Sequence, residues 1–524
     1  MQNSGIFYFT SFVFLLASLT LRSQSQSSAN QADRPLRVEI SARSTDETYR
    51  IVPLGSTGAM LYFRSVETIS DTLTKWYFSL YDKDLHAIWV KSISVRTGLE
   101  VKDSWLENDT LTLLFLASEK TKGITGAEMI VRLDCRTGTF KGSRHMIPGN
   151  NLPVEFKVFR DQAFFGYNLK NEPAHLRITD LESGKANDIP LTQPGVISAV
   201  SGFIADTANN ILYVTIRKPV LKSHVVCFLL KMNFSGTILS ETEISTITDS
   251  WELVNPQLVL LGQDDLLVVA TFSVSGRSVK MGSPTGSSGF FTCRIRNGTE
   301  SDIRFKNFLE LKNFQNVLGE KDMNAIKKKA SKKNRAVTDY ASELNLLIHP
   351  VTLQNDQVLF MGESYVPEYH PENFTEFDFY GRPYVNTYNV FDGYRFTSAL
   401  IASFDKDGNL KWDNSMEIRN LISPELTPKV NVYDVSRDTM VLCYASEARI
   451  ASKIIRENDV VEKLDFSAID PLYPEDKVLT DSRNYMRPWY GAYFMCSGYQ
   501  EIKNINSTED KKRLVFYFTK VKFE

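Results

Sequence analysis

Apolar runs of strand length, each entered from a polar turn, recur along the chain: STGAMLYFRS at Ala59, ENDTLTLLFLAS at Thr110, RDQAFFGYNL at Gln162 and ANNILYVTI at Asn210. They continue as QDDLLVVATFS at Asp265, NDQVLFMGES at Asp356, SRDTMVLCYA at Asp438 and YGAYFMCSGY at Gly491. Most intervals are close to fifty residues, and the two on either side of Asp356 are longer, which marks inserted material. Runs such as LLFL, LLVVATF and MVLCY are apolar without alternation, the pattern of strands covered on both faces.

Behind each run comes a second feature, a strand that ends in a polar turn and returns. YDKDLHAIW (Tyr81 to Trp89) and FDKDGNLKW (Phe404 to Trp412) are near-copies of this hairpin, and IVRLDCRTGTFKG and LLKMNFSGTILSE vary it. Asp, Asn and Gly fill the turns because they tolerate left-handed backbone and hydrogen-bond locally. Two such features per repeat predict an all-β chain built as a single β-propeller of four-stranded blades. Counting the apolar runs gives eight blades, or seven if one run is a miscount. The last repeat lacks its outer strand, and RPLRVEIS (residues 34–41) supplies one, so the N-terminal strand is expected to close the ring beside the C-terminal strands. The paired DKD hairpins then mark a repeated structural unit and no shared active site.

Two insertions interrupt the repeat. Residues 312–342 carry an approximate helical stripe (Phe314, Val317, Leu318, Met323, Ile326), followed by the basic run Lys327, Lys328, Lys329, Lys332, Lys333 and Arg335. This predicts one short helical insertion. Its lysines would dock an anionic partner or simply end a solvated helix. Residues 366–392 read as a loop, and with their flanks they hold eleven aromatic rings, counting Tyr365. Tyr369, Tyr380, Tyr384 and Tyr388, with Arg382 as a hydrogen-bonding fork, are the candidate partner-binding residues beside Lys327, Lys328 and Lys329. Local packing of the loop is the alternative. Strand order within a blade places both insertions on one face.

Composition agrees with a globular strand protein: 43% apolar, 23% charged and 12% aromatic, with a formal net charge of −2. That balance argues against nucleic acid as a partner. The apolar run Ile6 to Leu21, followed by a small polar stretch, predicts a signal peptide over residues 1–23 and a disordered linker over 24–33. The mature chain, residues 24–524 with the propeller over 34–524 and no membrane span, is then expected to be exported, to the periplasm or outside the cell, as a monomer. Five cysteines at irregular spacing, four of them inside apolar runs, read as buried thiols. Of six histidines only His370 has close acidic neighbours, Glu368 and Glu372. No nucleophile motif, metal-ligand spacing or calcium loop is present, so catalytic residues, metal and cofactor are all expected to be none.

The segment from LLIHPVTLQNDQVLFMGESYVPEYH to FDKDGNLKWDNSMEI resembles a family of exported proteins from Bacteroidetes-type bacteria that has no assigned activity. The likeness lies in Gly362, Glu363, Tyr365 and Pro367, in Phe391 to Tyr394, and in the final GYQEIKN and VFYFTKVKF segments. It covers roughly the last two hundred residues and implies an envelope or secreted protein. The hairpins also faintly resemble quinoprotein-type repeats, but only Trp89 and Trp412 fit that docking pattern, so its cofactor does not carry over. The function expected is a non-catalytic binding or scaffolding module whose partner is a protein or glycan of the cell envelope. The alternative is a polysaccharide-acting enzyme whose carboxylates line the central channel.

Overall fold

The computed structural model describes residues 36–45, 47–117, 127–146, 153–221, 224–244, 251–274, 286–333, 343–436, 438–504 and 511–523. The expected signal peptide, the whole of the linker and Arg335 lie outside the described residues. Within them the chain is all-β, and its strands form eight antiparallel sheets. Sheets 1 to 5 take residues 50–96, 99–146, 155–190, 199–244 and 251–307, four strands each in chain order. Sheet 6 spans residues 346–423, with its first strand split into Leu346–Ile348 and Thr352–Gln354. Sheet 7 spans 431–468. Sheet 8 takes three strands from residues 477–522, and its fourth is Arg37–Ser41, paired antiparallel with Lys512–Lys522.

Alternate residues of one strand serve two neighbours. In Thr110–Ala117, Leu113 and Phe115 pack towards sheet 1, while Leu114 and Leu116 pack towards sheet 3. In Thr439–Ser446, Leu442 and Tyr444 face sheet 6, and Val441 and Cys443 face sheet 8. This two-sided burial is the physical reason those runs are apolar throughout. Each apolar cluster draws on two consecutive sheets, and one joins sheet 8 to sheet 1 through Trp489, Tyr499 and Phe518 against Tyr49, Ile51 and Leu61.

The DKD turns staple neighbouring sheets. The Asp405 carboxylate accepts from the Asp407 and Asn409 amides at 3.0 and 2.8 Å, and Asp82 does the same for Asp84 and His86 at 2.8 Å each. With the turn fixed, Asp407 pairs with Arg294 on the third strand of sheet 5, and the Gly408 carbonyl accepts from the Thr292 hydroxyl at 2.8 Å. In the other copy Lys520, on Lys512–Lys522 of sheet 8, donates to the Lys83 carbonyl at 3.0 Å and lies 3.9 Å from Asp84. The same turn therefore grips the same strand of the preceding sheet, and the contact from sheet 8 to sheet 1 repeats the one from sheet 5 to sheet 6. Trp412 and Trp89 likewise pack towards the following sheet in both copies.

The N-terminal strand is held by charge as well as by backbone. The Arg37 guanidinium, with no exposed side-chain surface, meets Glu39 at 2.9 Å and Gln500 at 2.6 Å, and lies 4.1 Å over the Tyr517 ring. Arg513 meets Glu39 at 2.9 Å and Asp476 at 2.6 Å from the other side.

Candidate functional site

Residues 366–392 do not form a loop. They are the far half of two long strands of sheet 6, Gln357–Phe377 and Pro383–Phe404, paired through Phe377 and Pro383. The strand Leu346–Ile348 pairs only as far as Ser364, and the strand Leu410–Ser423 reaches only Tyr394. Beyond those points the two strands continue as a ribbon with both edges unpaired. Pro367 and Pro371 are tolerated because a free edge needs no donor. At the tip the Asp378 carboxylate accepts from the Tyr380 and Arg382 amides at 2.8 and 2.9 Å, and Gly381 takes a φ of +73°. This is the turn of Asp405 and Gly408 again, so DFYGR and DKDGN are one signature. That match is the signal in the sequence that identifies a hairpin here.

Register divides the ribbon into two unlike faces. Tyr369, Pro371, Asn373, Thr375 and Phe377 lie opposite Phe391, Asn389, Thr387, Val385 and Pro383, and every one of these is uncharged and exposed. The other face carries His370, Glu372, Phe374 and Glu376 opposite Val390, Tyr388, Asn386 and Tyr384. There the Glu376 carboxylate accepts from the Tyr384 and Tyr388 hydroxyls at 2.8 and 2.5 Å and from Asn386 at 2.7 Å. Those bonds hold its carboxyl below the usual range and raise both phenols. At the base, Glu368 makes a two-pronged pair with Arg395, and Tyr365 packs edge-on to Tyr394 at 5.5 Å. His370 meets Asp392 at 2.5 Å, while its sequence neighbour Glu368 is held by Arg395.

The expected site residues are thus distributed over separate features. Tyr384 and Tyr388 share one face, Tyr369 sits on the other against Phe391, and Tyr380 and Arg382 stack at the tip with 5.2 Å between guanidinium and ring. Of the candidate tyrosines Tyr380 is the most exposed, at 76%, and three groups outside the candidate set are comparably open: Phe379 at 97%, Phe377 at 67% and Val385 at 65%. The choice of tyrosines favoured amphipathic rings, but strand alternation is what decides which rings reach solvent.

The lysines stand elsewhere. The helical insertion breaks at Gly319 into α1 (Gln315–Leu318) and α2 (Glu320–Lys333). Lys327, Lys328 and Lys329 are exposed on α2, while Met323 and Ala330 are buried. The insertion is anchored by the Lys312 and Asn313 amides, which donate to the Asp413 carboxylate at 2.9 and 2.7 Å. Asp413 lies near the turn end of sheet 6, away from the ribbon. The expectation that both insertions lie on one face is therefore corrected: α1 packs along the outer strands of sheet 6, and the ribbon leaves from the opposite end.

A second feature lies between the first strands of sheets 1, 2 and 8. It is a cavity of ≈610 Å³ lined by Arg50, Lys102, Asp103, Glu425, Arg483 and Arg487, with Tyr49, Tyr62, Tyr485 and Tyr499 among its walls. Two of its charged pairs are long: Arg50 to Glu425 is 3.4 Å and Lys102 to Glu100 is 3.7 Å. Asp103 accepts from the Ser104 amide at 2.7 Å. Loss of solvent raises its carboxyl and Glu155 adds to this, against Arg487 and Lys157. Behind the wall Lys429 is buried, 3.0 Å from the Thr427 hydroxyl and 4.6 Å over the Tyr485 ring, and burial brings its amine down to about 8. Among the described residues no cluster of three or more His, Cys, Asp or Glu side chains is placed to hold a metal ion. No helix there is long and apolar enough to cross a membrane.

No family model and no curated protein matches the chain. Among solved structures it is similar to a polysaccharide lyase of family PL25, an ulvan lyase, at 10% identity and a TM-score of 0.41, over 78% of this chain and 90% of that one. It is also similar to the β-propeller domain of the Trilobed protease from Pyrococcus furiosus, at 7% identity and a TM-score of 0.35, over 80% and 98%. The dihydro-heme d1 dehydrogenase NirN follows at 10% and 0.39, over 94% and 77%. Likeness of this extent bears on neither activity nor ligand.

Proposed function

We propose that this protein is an exported, non-catalytic binding module: an eight-bladed propeller closed by its N-terminal strand, which presents the ribbon 366–392 to a protein partner. The carrying observation is the ribbon's uncharged face, exposed along its whole length and flanked by two unpaired strand edges. Monomeric proteins rarely leave such a surface open, and free edges are ordinarily covered or blunted by lysine, proline or a bulge. Here the prolines and the bulge stand at the base and the tip, leaving residues 372–377 and 384–391 without either. The ribbon has no lysine at all. Free edges offer backbone hydrogen bonds to an incoming strand, and the flat face offers rings to its side chains. Glu368, Glu372, Glu376, Asp378 and Asp392 make the ribbon acidic, which disfavours acidic glycans and lipid headgroups there.

Eight sheets, apolar clusters that each span two neighbours, and repetition of the turn staple between sheets 8 and 1 support the closed ring. The test is a photo-crosslinking residue at Phe379 or Val385 in cells that produce the protein. A discrete crosslinked partner is expected, lost in Phe377→Asp and Val385→Lys variants that retain the wild-type melting temperature. Absence of any crosslink from either position contradicts the reading.

The enzyme reading has one observation in its favour, the raised carboxyl of Asp103 in the cavity. Glycoside hydrolysis asks for a second free carboxylate across the cleft. Glu155 is paired with Lys157 at 2.8 Å, and Glu425 accepts from Tyr485 at 3.2 Å. Turnover of a polysaccharide that disappears in Asp103→Asn would establish this reading in place of the first.

A further inference from the structure

We propose that the cavity between sheets 1, 2 and 8 binds a small anionic ligand of about disaccharide size, carrying a carboxylate or a sulfate. The site is independent of the ribbon and of any partner bound there. Its volume, ≈610 Å³, falls within the range of small-molecule sites. Its cations come from three sheets: Arg50 from Arg50–Pro53, Lys102 from Leu99–Glu107, and Arg483 and Arg487 from Lys477–Tyr490. Convergence of four cations from segments so far apart in the chain is a property of the folded wall alone.

Three of those cations, Arg50, Lys102 and Arg487, are loosely engaged. Elsewhere in the molecule guanidinium pairs run from tight, as in the buried Arg177 with Asp188 at 2.8 Å, to loose, as in the exposed Arg456 with Asp438 at 3.9 Å. In the cavity the pairs of Arg50 and Lys102 stand at 3.4 and 3.7 Å. Arg487 is exposed, lines the cavity and makes no side-chain hydrogen bond or ion pair among the described residues. A guanidinium in that state is free to grip a carboxylate or sulfate with two parallel bonds. The opposing charges are Glu100, Asp103 and Glu425, with Glu155 beyond. Four lining cations against three lining anions leave one positive charge in excess; behind the wall Lys157 is balanced by Glu155 and Lys429 by Glu363. The rings of Tyr49, Tyr62, Tyr485 and Tyr499 give flat walls against which a sugar or similar ring packs.

The test is calorimetric titration of the full mature chain with digalacturonate, with a sulfated disaccharide and with neutral cellobiose. One acidic probe is expected to bind with unit stoichiometry and cellobiose not to bind; which acidic probe binds separates the carboxylate source from the sulfate source. Affinity should fall at least tenfold in Arg487→Ala and less in Arg487→Lys, with circular dichroism and melting unchanged. It should also fall with added salt and persist in the variant lacking residues 366–392. The proposal is overturned if neither acidic probe binds at millimolar concentration, if cellobiose binds equally well, or if Arg487→Ala and Lys102→Ala both leave affinity unchanged.

Discussion

At the scale of single residues, the clearest consequence concerns Lys429. Burial depresses its amine to about 8, below the ordinary 10.5, with Arg50 and Arg487 adding to the effect against Glu363 and Glu425. Below pH 8 both folded and unfolded chains carry the proton, so the cost of burying the charge is present in full. Between pH 8 and 10.5 the unfolded chain keeps a proton that the folded one has released, so stability from this group rises with pH. The full effect is of order ~3 kcal/mol. Lys429→Met is therefore expected to stabilise the protein by about 1–3 kcal/mol at pH 7.5, a gain that shrinks towards pH 10.5. Denaturant melts of both proteins across that range check it, and a pH-independent difference contradicts it. The cysteines behave as the sequence indicated. All five are free and buried, and burial pushes Cys135, Cys227 and Cys496 up to about 12. A thiol reagent at pH 8 should therefore label none in the native protein and five after unfolding.

At the scale of elements, the turn staple and the ribbon make opposite demands on their residues. Gly408 has a φ of +80°, and a Cβ there would stand 2.7 Å from the Thr292 hydroxyl oxygen of sheet 5. Gly408→Ala should cost about 1–3 kcal/mol in a denaturant melt, from backbone strain and loss of the grip on sheet 5. Residues of the ribbon's uncharged face touch solvent, so Phe377→Asp and Val385→Lys should shift stability by less than about 0.5 kcal/mol. The strands and their hairpins were legible in the sequence because two-sided burial leaves continuous apolar runs and the turns carry Asp and Gly at fixed offsets. The ribbon was read as a loop because, once both edges are free, Pro, Asn and Gly no longer disqualify a strand. The cavity could not be read at all. Its walls come from residues 48–53, 100–104, 425–427 and 483–499 with Tyr62, Trp76 and Phe516, and no local pattern links Arg50 to Arg487. The helical stripe was recognised, but Gly319 divides it, and its anchor Asp413 lies a hundred residues away.

At the scale of the whole molecule, the ribbon of sheet 6 stands out from the eight sheets with both edges unpaired. The closed ring proposed above depends on the N-terminal strand, whose Arg37 is a buried cation with four partners: Glu39, Gln500, the Asp470 carbonyl and the Tyr517 ring. Arg37→Met removes a buried charge from Glu39 and Gln500 and should cost about 3 kcal/mol, read as a shift of the denaturant midpoint. If stability is unchanged, the seam between Arg37–Ser41 and Lys512–Lys522 does not hold the ring. Function is assigned to the arm, and the measurement that bears on it most directly is affinity capture from envelope extract with the mature chain beside a variant lacking residues 366–392. Both proteins should melt alike, because the strands of sheet 6 keep their pairing below Tyr365. The account predicts a defined protein retained by the full chain and lost by the variant, and lost also with Phe377→Asp. Recovery of the same proteins by both, with folding intact, would contradict it and move the search for function to the cavity.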